Sequence, residues 1–234
     1  MSTKRLVSLL KKCNTSNQHW LEKLLDEYLE KSKNREAFPS KHFHPSSISD
    51  CDREIQYSRM GAKSESPPSG KNIRVMDQGN WTEKKYKDYF EKMGVLVTYQ
   101  GEARMADPPI KGTFDFVIKN PDTSQLFLIE LKTRREEVSG VKWDDLLSPY
   151  RNHEIQWSLY SKAINISDGL IIYENKNRQE IKIFEMTRDE NLIEKTFARL
   201  REIQKAIDND YMTPKPMRCP SFFCNYKKRC NSEK

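Results

Sequence analysis

The 234 residues suit one domain, or one domain with small appendages, and a hydrophobic fraction of 36% is enough for a single core. No apolar run approaches membrane-spanning length, and the apolar patch of the basic N-terminus is too short and interrupted for a signal peptide, so an intracellular chain is expected. A net charge of +7 with a pI near 9 favours a polyanionic partner, and five cysteines inside a cell are more readily thiols or metal ligands than disulfides.

Residues 15–33 predict an amphipathic helix with Trp20, Leu21, Leu24, Leu25, Tyr28 and Leu29 on one stripe, opened by a Thr15/Gln18 capping box. It is a packing or docking helix with no chemistry assigned, and a connector follows over 34–44. The stretch 44–53, HPSSISDCDR, opens a second helix that runs to about Met60, with Ser47 or Ser49 as cap and Cys51 in its first turn. Residues 62–72, AKSESPPSGKN, read as an exposed loop, and 73–93 as a third helix ending at Gly94, a left-handed cap. Gly79 inside that helix implies a close approach of backbone or ligand.

A strand is expected over 95–100, followed by a hairpin in GTFDFVIKNPDTSQLFLIELKT, residues 112–133. Its arms, 114–118 and 126–131, are rich in β-branched and aromatic residues, and Lys119-Asn120-Pro121-Asp122 supplies turn chemistry. Alternation puts Glu130 and Lys132 on one face and Leu131 on the other. Antiparallel pairing brings Asp115 near the end of the second arm. Two carboxylates there repel each other unless a hard cation such as Mg²⁺ or Mn²⁺ lies between them, and a lysine beside such a cation can orient water and steady a phosphate. Asp and ExK at this spacing also arise by chance as a hairpin with exposed charges.

Further along come a charged linker over 134–147 that includes Lys142-Trp143, a helix over 148–164, and a second hairpin (169–173 and 180–186). A helix over 189–208 has a Thr187/Glu190 capping box and a core stripe of Ile193, Phe197, Leu200, Ile203 and Ile207. The last segment is loop-like, basic and carries three cysteines.

Asp115…Glu130-Leu131-Lys132 resembles the active-site signature of the PD-(D/E)xK nuclease superfamily. Gln156 and Tyr160, four apart on one helix face, match the QxxxY motif that follows ExK in its RecB-like branch. The resemblance implies that Asp115, Glu130 and the Leu131 carbonyl hold metal, that Lys132 activates or orients water, and that Gln156 and Tyr160 position the substrate backbone or the active-site groups. Where RecB-like nucleases usually carry a histidine, a few residues after a glycine, this chain has Glu83 after Gly79. A glutamate still suits Mg²⁺ or Mn²⁺.

Cys51 with Cys219, Cys224 and Cys230, one early cysteine and three late ones, is similar to the iron–sulfur staple of the CRISPR-associated RecB-like exonucleases and of AddB-type nucleases. PSSISDCDRE resembles the segment around their first cysteine, including Arg53. The spacing of Cys224 and Cys230 fits, whereas four residues separate Cys219 from Cys224 where the family usually has two. Four thiolates could hold [4Fe–4S] or, alternatively, a structural Zn²⁺, in a structural role. Cys13 stands outside the set, and His42 and His44 are a possible metal pair.

The expectation is an α/β fold: a mixed central sheet flanked by helices, the PD-(D/E)xK core, with a cysteine-rich C-terminal staple. Residues 1–42 would form a helical extension, 43–210 the nuclease core, and 211–234 the segment closing onto Cys51. The resemblance implies a Mg²⁺- or Mn²⁺-dependent DNA nuclease, an exonuclease on single strands or ends, with Arg53, Arg134 and Arg135 on phosphates. Lys142-Trp143 is a candidate base-stacking pair, or a buried tryptophan. The alternatives are a non-catalytic nucleic-acid- or protein-binding module on the same fold, and an iron–sulfur redox sensor.

Overall fold

The computed structural model describes residues 19–33, 37–135, 137–138, 141–142, 149–220 and 224–232. The Thr15/Gln18 box, Cys13, Trp143 and the Lys142 side chain lie outside them. In chain order the elements are helix α1 (Trp20–Lys33), a 3-10 turn (Pro45–Ser47), α2 (Asp52–Arg59), α3 (Gly70–Lys92), strands β1 (Leu96–Met105), β2 (Ile110–Lys119), β3 (Leu126–Arg134), β4 (Glu137–Val138) and β5 (Val141–Lys142), α4 (Arg151–Ile164), β6 (Asp168–Asn175), β7 (Ile181–Thr187), α5 (Glu190–Asp208) and α6 (Lys227–Ser232). No helix among the described residues is long and apolar enough to cross a membrane.

Two compact units are distinguishable: a small one containing α1 and residues 68–76, and a large one containing 37–67 and the chain from Asp77 onward. In the small unit the Gly70 N–H donates to Glu30 Oε1 at 2.9 Å, and Arg74 pairs with Asp26. α3 thus starts three residues inside the stretch that reads as loop, with the Ser69 hydroxyl also accepting the Asn72 N–H at 3.4 Å. The apolar stripe of α1 is exposed except for the half-buried Leu29; Trp20, Leu24 and Tyr28 are more than half exposed.

The large unit is built on a five-stranded sheet of order β1-β2-β3-β6-β7. β1, β2 and β3 form an antiparallel meander, and β6 and β7 a hairpin. β3 and β6 run parallel, and α4 makes the crossover between them. The hairpin turn is fixed by Asn120, whose Oδ1 accepts the N–H groups of Asp122 and Thr123.

Tyr86 and Phe90 of α3 pack with Phe116, Ile129, Leu131 and Ile172 in one core cluster. Trp157 and Tyr160 of α4 pack with Phe114, Val117, Leu128 and Tyr173 in another. A third cluster joins Ile55 of α2, Leu159 of α4 and the α5 stripe Ile193, Phe197, Leu200 and Ile203, with Ile207 partly buried against it. Gly94 closes α3 with φ +69°; its N–H donates to Glu91 O and that of Val95 to Phe90 O, the paired bonds of a Schellman end.

Two caps differ from the sequence expectation. Cys51 is the N-cap of α2, and Ser49 serves it by accepting the Cys51 N–H at 3.3 Å. At α5 the cap is Asp189, whose Oδ1 accepts from Asn191 and Leu192, while Glu190 pairs with Lys162 and Arg188. Asp is the stronger cap because its carboxylate also meets the positive end of the helix dipole. Gly79 is not demanded by the protein itself: an added Cβ would meet only Thr133 Oγ1, at an ordinary 3.7 Å.

Candidate active site

The pairing of β2 with β3 stops at Phe116 and Ile129. Beyond that point the Leu131 N–H of β3 is taken by a side chain of β2: Asp115 Oδ2 accepts it at 2.7 Å. The flanking Phe114 and Phe116 pack in different core clusters, which strict strand alternation does not allow. The register across from Asp115 falls on Gln100, between the Tyr99–Phe116 and Gly101–Phe114 pairs, and Gln100 has φ 51°. Here the strands part, and Asp115 stands at the parting.

Glu130 is 1% exposed. Its Oε1 accepts from Lys132 Nζ at 2.6 Å and from Gln156 Nε2 at 2.7 Å, while Lys132 Nζ also donates to Gln156 Oε1 at 3.1 Å. The Gln156 amide thus locks acid and base together from α4. Glu130 Oε2 is buried and has no hydrogen-bond partner. One turn on, the buried Tyr160 ring lies over Gly112, where an added Cβ would come within 2.7 Å of Cε1 and 2.8 Å of the hydroxyl. Glu83 of α3 accepts from Gln100 Nε2 at 2.9 Å, and its charge acts on Asp115, Glu130 and Lys132.

The electrostatics follow from burial. Asp115 is pushed well above the ordinary carboxylate pKa by desolvation and then by Glu130, with the Leu131 N–H and Lys132 pulling back. Glu130 is raised by burial against the pull of Lys132. Burial works against the Lys132 ammonium, yet the attraction of Glu130, Asp115 and Glu83 outweighs it and leaves the pKa above its usual value. Lys132 is accordingly charged.

Beside this group lies a cleft of about 420 Å³. Lys132, His153 and Gln156 line one side, Ser47 and Glu54 another, and Asn225 of the tail closes it. His153 is pushed down to a pKa of about 3 by burial and by the charges of Lys132 and Arg134. It precedes Gln156 by three residues and Tyr160 by seven, so H-x-x-Q-x-x-x-Y on one helix face is the sequence signal that identifies it.

Cys51, Cys219, Cys224 and Cys230 all line one cavity of about 80 Å³. Burial raises the Cys51 thiol and pushes Cys224 up to about 11. No three His, Cys, Asp or Glu side chains among the described residues form a ready metal shell, at the thiols, at the carboxylates or at His42 and His44.

Arg53 and Arg134 do not stand on an open surface, as phosphate contacts would. Arg53 is buried, with Nε donating to Thr213 O at 2.8 Å and Nη1 reaching Cys230 Sγ at 3.8 Å. Arg134 is buried over the Tyr150 ring at 4.1 Å and hydrogen-bonds its hydroxyl. Arg135 is exposed.

No family model and no curated protein matches the sequence. Among solved structures the fold is shared with the protein SSO0001, at TM-score 0.55 and 18% identity, covering 90% of this chain and 96% of that one. An alkaline exonuclease from Laribacter hongkongensis aligns at TM-score 0.50 and 13% identity over 79% of this chain and 93% of its own. The complex of that exonuclease with dAMP aligns at TM-score 0.50 and 12% identity, over 73% and 89%. At these identities the likeness is one of fold.

Proposed function

We propose that this protein is a Mg²⁺- or Mn²⁺-dependent DNA nuclease of the PD-(D/E)xK, RecB-like kind, acting inside the cell as an exonuclease on single strands or free ends. The observation that carries the reading is the buried Glu130 Oε2 with no hydrogen-bond partner, beside an Asp115 whose ionisation Glu130 opposes. Such a pair fits a hard cation and has no structural need of its own. Asp115, Glu130, Glu83 and the Leu131 carbonyl would hold that cation, which supplies Lewis acidity and offsets the charge on the phosphate. Lys132, kept protonated, orients the attacking water and donates to the phosphate, while Gln156 and Tyr160 hold it in place.

The same proposal assigns the cysteine cavity to a [4Fe–4S] cluster or, failing that, Zn²⁺, as in the CRISPR-associated RecB-like exonucleases. Convergence of four thiols from both ends of the chain on one small cavity supports a metal that staples the tail to α2. Purified protein that is brown and contains iron and sulfide supports the cluster; colourless protein with zinc replaces it and leaves the nuclease reading intact. The nuclease reading itself is tested by incubating labelled single-stranded DNA with the protein and Mn²⁺. Wild type is expected to degrade it while Lys132→Ala and Asp115→Ala do not. Equal products from all three sink the enzyme reading, and binding without cleavage by wild type leaves the non-catalytic module.

A further inference from the structure

We propose that Gln100 is the positioning residue for Glu83, its side-chain amide orienting the Glu83 carboxylate toward the cation that Asp115 and Glu130 would hold. The inference rests on the nuclease reading for the presence of that cation, and the geometry of β1 carries it. Gln100 Nε2 donates to Glu83 Oε1 at 2.9 Å, and since a carboxylate only accepts, the amide nitrogen has to face it. Burial and then the Glu83 charge raise the pKa of Tyr99, which puts its hydroxyl beside the same carboxylate. Glu83, which stands on α3, is thus tied to the strand that runs past Asp115.

The backbone of β1 is bent to make this contact. Gln100 has φ 51°, a left-handed conformation that is unfavourable for a residue with a side chain. Its neighbours keep it there. Tyr99 stacks on Phe116 at 5.5 Å and 28°, and Gly101 lies under the Phe114 ring, which an added Cβ would overlap. Those two phenylalanines flank Asp115, so the same contacts fix the carboxylate at the parting and the turn that aims Gln100. The fold gains little in return. α3 is already anchored on the sheet by Tyr86 and Phe90, and water can replace the partner of an exposed amide such as that of Gln100. Glycine would take the same backbone without strain. What the glutamine supplies is the donor on Glu83. A helix glutamate left to itself samples several rotamers, and the entropy of fixing one weakens its hold on an ion. A donor that orients the carboxylate beforehand removes much of that loss.

Mn²⁺ titrated into the full chain as purified, and followed by loss of the free-ion EPR signal, measures the site, with Asp115→Ala as background. Gln100→Gly should weaken Mn²⁺ binding roughly ten-fold, the lower end for a residue that orients a metal ligand. Before Mn²⁺ is added, the same variant should unfold at or above the wild-type urea midpoint, because glycine relieves the left-handed backbone. A residue that only held the fold together would lower that midpoint when removed. Glu83→Ala should weaken Mn²⁺ binding at least as much as Gln100→Gly. Adding Gln100→Gly to it should then bring no further loss, since Gln100 acts through Glu83. Wild-type Mn²⁺ affinity in Gln100→Gly, a lowered urea midpoint, or a further loss in the double variant overturns the proposal. If Asp115→Ala abolishes Mn²⁺ binding while Gln100→Gly and Glu83→Ala keep it, the nuclease reading stands and the positioning role alone fails. If wild type binds no more Mn²⁺ than Asp115→Ala does, the metal-dependent nuclease reading fails and the proposal with it.

Discussion

Asp115 and Glu130 carry the tension of the site because each is buried near the other's charge. A carboxyl whose pKa is raised by folding binds its proton more tightly in the native chain. Its contribution is complete below the unfolded value of about 4, and it is lost as pH rises toward the folded value. The metal-free protein therefore pays for its site at neutral pH. Asp115→Asn keeps an acceptor for the Leu131 N–H and removes the repulsion. In EDTA it should be more stable than wild type by about 1 kcal/mol or more at pH 8, a margin that shrinks toward pH 4. Urea denaturation at the two pH values measures it, and a variant no more stable than wild type at pH 8 contradicts the account. At this scale the sequence was legible where chemistry is written in residue order: Asp115, Glu130, Lys132, Gln156 and Tyr160 come together. The contact of His153 Nδ1 with the Tyr173 hydroxyl was not, because that hydroxyl comes from β6 twenty residues later.

The site exists because two elements meet at close quarters, β2 where it parts from β3, and α4 crossing behind. Their separation is set by Gly112, with no side chain, against the Tyr160 ring, which has no room to yield among buried neighbours. Gly112→Ala must move the ring or the strand. Overpacking of this kind costs about 1–3 kcal/mol, so the urea midpoint should fall with the m-value unchanged. An unshifted midpoint would mean that α4 can slide freely on the sheet. Hairpins and long periodic helices were readable from the sequence since their signals are local, as in the Asn120 turn and the α5 stripe. The break of alternation at Asp115, opposite the left-handed Gln100, was not, because no signal in residue order marks it. Nor was the start of α3, where Glu30 from forty residues away joins Ser69 in the cap.

For the molecule as a whole, the open issue in the sequence was what fastens the cysteine-rich tail. Its cysteines are the proposed metal ligands, and the structure fastens the tail through side chains of α2 and of the loop that follows it. Gln56 donates to Tyr211 O at 2.6 Å and accepts the Thr213 N–H at 2.8 Å. Arg53 holds Thr213 O, and Glu65 accepts the N–H groups of Lys228 and Arg229 at the start of α6. None of these partners has a motif, so residue order gave no hint of them. They matter to function because Asn225 and Tyr226 of the same tail wall the cleft beside Lys132. Gln56→Ala would leave the Tyr211 carbonyl and the buried Thr213 N–H unpaired, at about 1–3 kcal/mol for each buried group. In protein stripped of metal, hydrogen exchange over residues 211–230 should then rise at least about ten-fold, the factor that corresponds to 1.4 kcal/mol of local opening. Reconstituting the thiol site with iron and sulfide or with zinc should suppress most of that increase, since a metal restrains the same segment through different atoms. Unchanged exchange in the stripped variant would show that the polar contacts do not hold the tail. Increased exchange that no metal reverses would separate the four thiols from the task of stapling it.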